Sequence, residues 1–463
     1  MYFEQFYLGC LAHASYMLAS DGEAVVVDPQ RDVELYLRAA ADQGVTIRHI
    51  FETHLHADFV SGHKELSTRT GAKIYMGAQA GATFPHVAVN DGFHLKFGKV
   101  LLSILETPGH TPESICLVVT DHERSPEPWA VLTGDTLFIG DVGRPDLSPR
   151  HTPSELAGLL YDSLQNKVLT LADSVLVYPA HGAGSLCGKN MRAERSSTIG
   201  TERLTNYALQ IKSRAEFIAQ LTSNLPARPE YFAKDAEINR TGATALSDLE
   251  PLRAIAPNEL AGMLKTGEIA LDVRAGDDFA AGHVPGSINV ALSGQFATWA
   301  ATVLGLTAHP VLIADSDQQL EEARVRLARV GIEALDGYLA GGVTAWKQAG
   351  LPVATVEQIA AEELRSRLGA GDVQVLDVRR APEWDAGHID RATWWPLDNF
   401  KVSPPEIDQG AAIAVHCKSG YRSMIASSLL QRAGFRQVLN VVGGFDAWQQ
   451  AKLPYVTETA AVK

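Results

Sequence analysis

The sequence predicts an α/β protein built as three domains, and three observations carry that reading. At 463 residues the chain is too long for one ordinary domain. Its first half alternates strand-like apolar runs with helical runs, the pattern of strands covered by helices. Its second half repeats the same short words about 100 residues apart, the mark of a duplicated unit. The expected boundaries are 1–245, 250–355 and 356–463.

In the first part Ala24–Asp28, Val45–Phe51, Leu101–Glu106, Ala130–Thr133 and Val175–Tyr178 read as strands. Each is a short apolar run bounded by polar turns. Val33–Gln43 and Arg192–Leu221 read as helices. Asn224-Leu225-Pro226-Ala227-Arg228-Pro229 is rich in helix breakers, and the polar stretch that follows to Pro257 reads as a domain boundary. In the duplication, Leu271-Asp272-Val273-Arg274 returns as Leu376-Asp377-Val378-Arg379, an offset of 105. Ala281-Gly282-His283 returns as Ala386-Gly387-His388. Gly341-Gly342-Val343-Thr344-Ala345-Trp346 returns as Gly443-Gly444-Phe445-Asp446-Ala447-Trp448, an offset of 102. Short buried strands with intervening helices make each copy a small parallel-sheet domain.

Composition excludes several classes. Hydrophobic content of 46% with 20% charged residues is that of a globular protein. A net charge of −14 argues against a nucleic-acid or anionic-membrane surface. No run approaches the ~18 apolar residues of a membrane span, and Met1-Tyr2-Phe3-Glu4-Gln5 lacks the basic start of a signal peptide. Cys10, Cys116, Cys187 and Cys417 show no paired spacing, which suits free thiols in a reducing, cytoplasmic compartment.

Metal-capable side chains sit where the strands end. The first group is Thr53-His54-Leu55-His56-Ala57-Asp58, followed by Phe59. His110 lies in Thr107-Pro108-Gly109-His110-Thr111-Pro112, Asp135 in Thr133-Gly134-Asp135-Thr136, and His181 in Tyr178-Pro179-Ala180-His181-Gly182. One such residue at a strand end is an ordinary turn residue. Residue type, position and number together point to a shared metal site. Over residues 1–245 this order of words resembles the metallo-β-lactamase fold, an αββα sandwich, and within it the persulfide dioxygenases. The resemblance implies one iron(II) per chain held by His54, His110 and Asp135, a facial triad with open positions for O₂ and substrate. It makes His56, Asp58 and His181 supporting groups that orient ligands and water, with His56 left open as a fourth ligand. Relatives usually carry His after the Asp, where it helps hold a second metal. Phe59 has no lone pair to give, so one working metal is expected. Arg144, in Gly140-Asp141-Val142-Gly143-Arg144-Pro145-Asp146, matches an arginine that the family uses near its thiol-substrate pocket. Cys187 reads either as a neighbour of the metal pocket or as an inert buried thiol.

The second chemical site is Val415-His416-Cys417-Lys418-Ser419-Gly420-Tyr421-Arg422-Ser423, between the strand Ala411–Val415 and a helix Met424–Ala433. A cysteine there faces backbone N–H groups and the positive end of a helix dipole, a nest for a sulfur anion. With the repeated words, residues 356–463 resemble rhodanese sulfurtransferases. The resemblance implies Cys417 as sulfur carrier and Lys418, Ser419, Gly420, Tyr421 and Arg422 as the anion-binding loop. A phosphatase reading is weaker, because that class prefers Cys-x₅-Arg. Shifting Cys417 by 102 positions lands on Asp315, which cannot carry sulfane sulfur, so residues 250–355 read as an inactive rhodanese-like domain.

The resulting expectation is a homo-oligomeric enzyme of sulfide detoxification. It oxidises a low-molecular-weight thiol persulfide with O₂ to sulfite and transfers sulfane sulfur to sulfite, giving thiosulfate. No nucleic acid or membrane is expected as partner. Two alternatives stand beside it. One is a zinc-dependent thioester hydrolase of glyoxalase II type with a sulfurtransferase tail, and the other is a non-enzymatic persulfide relay or scaffold.

Overall fold

The computed structural model describes residues 1–223, 225 and 228–457, so Asn224, Pro226 and Ala227 of the breaker-rich stretch lie outside the described residues. The chain divides into two compact units, residues 1–249 with 328–331, and residues 250–327 with 332–463.

The first unit holds two six-stranded sheets. In one, the strands from Tyr2–Leu8 through Thr46–Phe51 to Val87–Val89 neighbour each other in chain order. The other runs likewise from His94–Phe97 to Ser197–Thr198. Alternate residues of a strand face opposite ways, and the strand Ile115–Asp121 shows what this builds. Leu117 and Val119 join Val25, Phe51 and Leu132 in a core between the sheets. Cys116 and Val118 point the other way, into a core with Ala157, Leu160 and Leu164 of the helix Pro153–Asn166. Tyr36, Ala40 and Leu66 cover the outer face of the first sheet from the helices Glu34–Asp42 and His63–Thr70. The layers are therefore helix, sheet, sheet, helix.

Two expectations are corrected here. The single helix over Arg192–Leu221 is instead a short strand and three helices, Ile199–Thr205, Tyr207–Gln210 and Arg214–Thr222. Each restart has its own N-cap, since Thr198, Asn206 and Ser213 accept from the backbone N–H groups of Thr201, Ala208 and Glu216. Such side chains satisfy the orphan donors of a helix start and favour a new beginning over continuation. The stretch before Pro257 also contains an ordered helix, Tyr231–Thr241, that belongs to the first unit.

The second unit contains two five-stranded parallel sheets of the same strand order. One runs Ala254–Ile255, Gly337–Leu339, Val311–Ile313, Ala270–Asp272, Ile288–Asn289. The other runs Glu357–Ile359, Val438–Val441, Ile413–His416, Gln374–Asp377, Thr393–Trp394. The repeated words build identical bonds. Arg274 grips Asp272 (2.7 Å) and the Gly282 carbonyl (3.0 Å), and Arg379 grips Asp377 (2.6 Å) and the Gly387 carbonyl (2.7 Å). His283 stacks on Phe279 and His388 on Trp384. These words are scaffold: each buried guanidinium satisfies a strand-end carboxylate and a loop carbonyl at once.

Register corrects the equivalence of Asp315. Asp272 pairs with Ile313, and Asp377 with His416. The residue after each partner strand is Ala314 in one copy and Cys417 in the other, so the counterpart of Cys417 is Ala314. The length difference between the copies is spread over two loops, and a single offset taken from the closing glycines overshoots by one. Among the described residues, no helix is long and apolar enough to cross a membrane.

Candidate functional site

His54, His110 and Asp135 converge, with one ligand atom from each lying within 4.8 Å of the others. They come from the C-terminal ends of three strands, Thr46–Phe51 in one sheet and Val100–Glu106 and Ala130–Gly134 in the other. His54 Nε2 is 3.7 Å and His110 Nε2 3.3 Å from the same oxygen, Asp135 Oδ2. All three side chains are buried, and both Nε2 atoms lack a hydrogen-bond partner.

The opposite edges of both rings explain why those nitrogens face inward bare. His110 Nδ1 donates to the Arg144 carbonyl at 2.9 Å, which leaves Nε2 with its lone pair. The residue between His110 and Asp135 in this arrangement is Gly143, where a Cβ would stand 2.1 Å from the Asp135 carbonyl and 2.7 Å from His110 Nδ1. His54 is set by a relay. Thr53 Oγ1 gives its one proton to Asp28 Oδ2 at 2.8 Å, so towards His54 Nδ1 at 3.0 Å it can only accept. His54 therefore carries its proton on Nδ1 and presents Nε2 as a lone pair. Burial lowers the pKa of both rings, which keeps them neutral and ligating. Two neutral imidazoles and one carboxylate aimed at a common point fit a divalent transition metal.

Replacing Thr53 by Val keeps the shape and removes the relay. The Thr53→Val variant is expected to bind metal about 10- to 100-fold more weakly, the usual cost of losing an outer-shell partner. Competition against a chelator measures this, and parental affinity would show that the hydroxyl does not set His54.

His56, Asp58 and His181 form a second, adjoining set. His181 Nδ1 lies 2.8 Å from Asp135 Oδ1 and its Nε2 3.0 Å from Asp58 Oδ2. Burial opposes a charged ring there, yet the two carboxylates hold the pKa of His181 well above the usual histidine value. Burial opposes the charge on Asp135, yet His181 holds it well below the usual carboxylate range. Phe59 is fully buried and packs its ring against His56 and His13 at 4.4 and 4.1 Å between centroids. Cys187 is also close, grouping with Asp135 and His181, and burial pushes its thiol well above the usual value. The Arg144 guanidinium is bonded to both Asp146 oxygens (2.7 and 2.8 Å) and to the Leu186 carbonyl.

Sequence reasoning missed Thr53, Asp28 and Asn239. Asn239, on the helix Tyr231–Thr241, donates to the carbonyls of His56 and Phe59 and accepts from the Ser61 N–H, tying down the metal loop. It sits 183 residues from His56, and no local pattern announces it. Asp28 had a signal in its place at the end of an apolar strand. Its φ of +52° is the backbone cost of turning its carboxylate back onto the Thr53 N–H.

In the second unit Cys417 is buried, and its Sγ accepts from the Gly420 N–H at 3.2 Å. The helix begins at Tyr421 rather than Met424, so this loop feeds directly into the helix start. The Phe445 and Asp446 N–H groups bond the Cys417 and Lys418 carbonyls (2.8 and 2.9 Å). At Gly444 a Cβ would meet the Cys417 carbonyl at 2.5 Å, which accounts for glycine in that word. Lys418 and Ser419 are exposed. Arg422 is held by both oxygens of Glu383 at 2.6 and 2.7 Å. The structure thus brings Cys417 and the Gly420 N–H together and turns Arg422 onto a carboxylate.

Comparison with known proteins agrees with both folds. The metallo-beta-lactamase superfamily matches residues 8–181, and the rhodanese-like domain matches 256–349 and 360–451. Mitochondrial persulfide dioxygenase ETHE1 of Bos taurus is 32% identical over 211 residues, 44% of this chain and 73% of that protein. A hydroxyacylglutathione hydrolase of Polaromonas sp. is 34% identical over 172 residues, 36% of this chain and 61% of that protein. A crystal structure described as a metallo-beta-lactamase from Staphylococcus aureus subsp. aureus COL is 32% identical. It matches with a TM-score of 0.65 over 73% of this chain and 98% of that one. Fold and site define a metal-binding protein of the metallo-β-lactamase superfamily fused to two rhodanese-like domains. The chain belongs to the persulfide dioxygenase family.

Proposed function

We propose that this chain oxidises a low-molecular-weight thiol persulfide with O₂ at one iron(II) and then uses Cys417 to make thiosulfate, in sulfide detoxification. The observation that carries the first half is the pair of bare Nε2 atoms aimed at one Asp135 oxygen, within a persulfide dioxygenase family member. Bound there, iron supplies sites where O₂ and a persulfide sulfur meet. The rest falls to the protein. Thr53 and the Arg144 carbonyl fix the imidazole tautomers, while His181 turns Asp135. The burial of His54, His110 and Asp135 keeps bulk water from these side chains. In the net reaction the thiol persulfide, O₂ and one water give the thiol, sulfite and two protons: the outer sulfur loses four electrons to O₂, which supplies two of the sulfite oxygens, and water supplies the third.

In the second half, the Cys417 thiolate attacks the outer sulfur of another persulfide, whose own S–S bond breaks and releases the thiol. Its S–S bond then breaks as sulfite attacks that sulfur, so thiosulfate leaves and the Cys417 thiolate returns. The Gly420 N–H and the helix start stabilise the sulfur anion in both steps. The domain that ends its strand in Ala314 has no sulfur atom at the equivalent place and is taken as inactive. Asp315→Ala is accordingly expected to leave both activities within about threefold of the parent, an ordinary surface-substitution effect. A large loss with the fold intact would give that side chain a part in the chemistry.

The second reading, zinc-dependent thioester hydrolysis, draws on the hydroxyacylglutathione hydrolase relative and on the second set, His56, Asp58 and His181. Anaerobic purification with metal analysis, followed by oxygen uptake on glutathione persulfide, separates the two. About one iron per chain with persulfide-dependent uptake is expected. Two tightly held zinc ions without iron-dependent uptake would favour the hydrolase. Metal without turnover of any kind would favour the relay. The proposal includes a cytoplasmic homo-oligomer, which light scattering and fractionation would read.

A further inference from the structure

Within the second unit, the helix Tyr421–Arg432, whose first turn carries the Cys417 loop, is bonded along its length to the other rhodanese-like domain. Tyr421 Oη donates to the Ala291 carbonyl at 2.8 Å. One face further along, Ser428 Oγ accepts from the Asn289 N–H at 3.0 Å. Gln431 Oε1 lies 3.0 Å from His283 Nε2, and His283 Nδ1 is satisfied by its own Phe279 carbonyl. Arg432 donates to the Gly286 carbonyl at 2.9 Å. All these partners fall between residues 283 and 291, around the strand Ile288–Asn289. Gly294 closes the segment, where a Cβ would stand 3.4 Å from the Tyr421 ring.

We infer that the rhodanese-like domain lacking a sulfur carrier is the positioning half of the sulfur-transfer site, holding the Cys417 loop through Tyr421 and the helix behind it. The backbone N–H bonded to the sulfur, that of Gly420, stands at the N-cap of this helix, so its placement follows the placement of the helix. The two residues that follow Gly420 are both anchored, Tyr421 on Ala291 and Arg422 on Glu383. This gives the duplicated domain work that needs no cysteine. Ser428 and Gln431 lie two or more turns from Tyr421 on the same helix, out of reach of any sulfur on Cys417. Tyr421, Ser428 and Gln431 are therefore positioning residues.

The inference rests on Cys417 as carrier, and the test separates the two claims. Sulfur transfer from glutathione persulfide to sulfite is measured anaerobically on the full-length protein for Tyr421→Phe, Ser428→Ala/Gln431→Ala and Cys417→Ser. Both of the first two variants should lose about tenfold in kcat with KM for sulfite within about twofold, as a misplaced but intact cradle requires. Thermal melts close to the parent show that the fold persists, and Tyr421→Phe removes only one oxygen atom. Parental kcat in both variants, or a rise in KM at unchanged kcat, overturns the inference. Transfer that survives Cys417→Ser overturns the carrier assignment, and the inference with it.

Discussion

His110→Ala is expected to abolish persulfide-dependent oxygen uptake while sulfur transfer through Cys417 persists. The ring supplies one of three inward-facing donors, and its Nδ1–H satisfies the buried Arg144 carbonyl. Alanine removes both, so the metal loses a ligand and the Gly143–Arg144 turn loses its support. Removing a ligand from a three-residue site is expected to cost at least about 100-fold in activity, more than an outer-shell change. Transfer is untouched because Cys417 and its cradle belong to the other unit. Oxygen-electrode rates and anaerobic transfer rates on one preparation check both halves. Uptake near the parental rate with metal retained would remove His110 from the ligand set.

Cys417→Ser is expected to do the reverse, leaving oxygen uptake nearly unchanged and switching the product from thiosulfate to sulfite. A serine oxygen cannot form a persulfide, so sulfite accumulates for want of a sulfur donor on the protein. The rate difference is expected to exceed about 100-fold, since removal of a covalent nucleophile leaves only binding. Thiol-derivatisation chromatography during aerobic turnover resolves the two products. Thiosulfate at the parental rate, after subtracting the uncatalysed reaction of sulfite with persulfide, would mean that another group carries the sulfur.

The two substitutions disable opposite ends of one sequence of reactions. In the function proposed, sulfite made at the metal is the acceptor consumed at Cys417, and both steps draw on the same persulfide. A variant carrying both changes should therefore make neither product.

Much of this was legible in the chain itself. His54, His110 and Asp135 could be read because metal ligation depends on a few side-chain types, and sheet folds place such groups at strand ends. Cys417 could be read because its nest is made by neighbours in sequence: Gly420 and the helix start lie within four residues of it. The duplication was visible because Arg274 and Arg379 each satisfy a carboxylate two residues away. What tertiary structure alone decided is of another kind. Asn239 reaches the metal loop across 183 residues, and the tautomer of His54 follows from a proton that Thr53 gives to Asp28. The true counterpart of Cys417 is Ala314 because strand register, not a constant spacing, aligns the copies. The helix behind Cys417 leans on residues near Ile288–Asn289, 130 and 139 positions earlier. Residue type and short-range spacing determine what chemistry a chain can do. Which nitrogen carries the proton, and which helix is held still, are set by contacts that exist only once distant segments have packed.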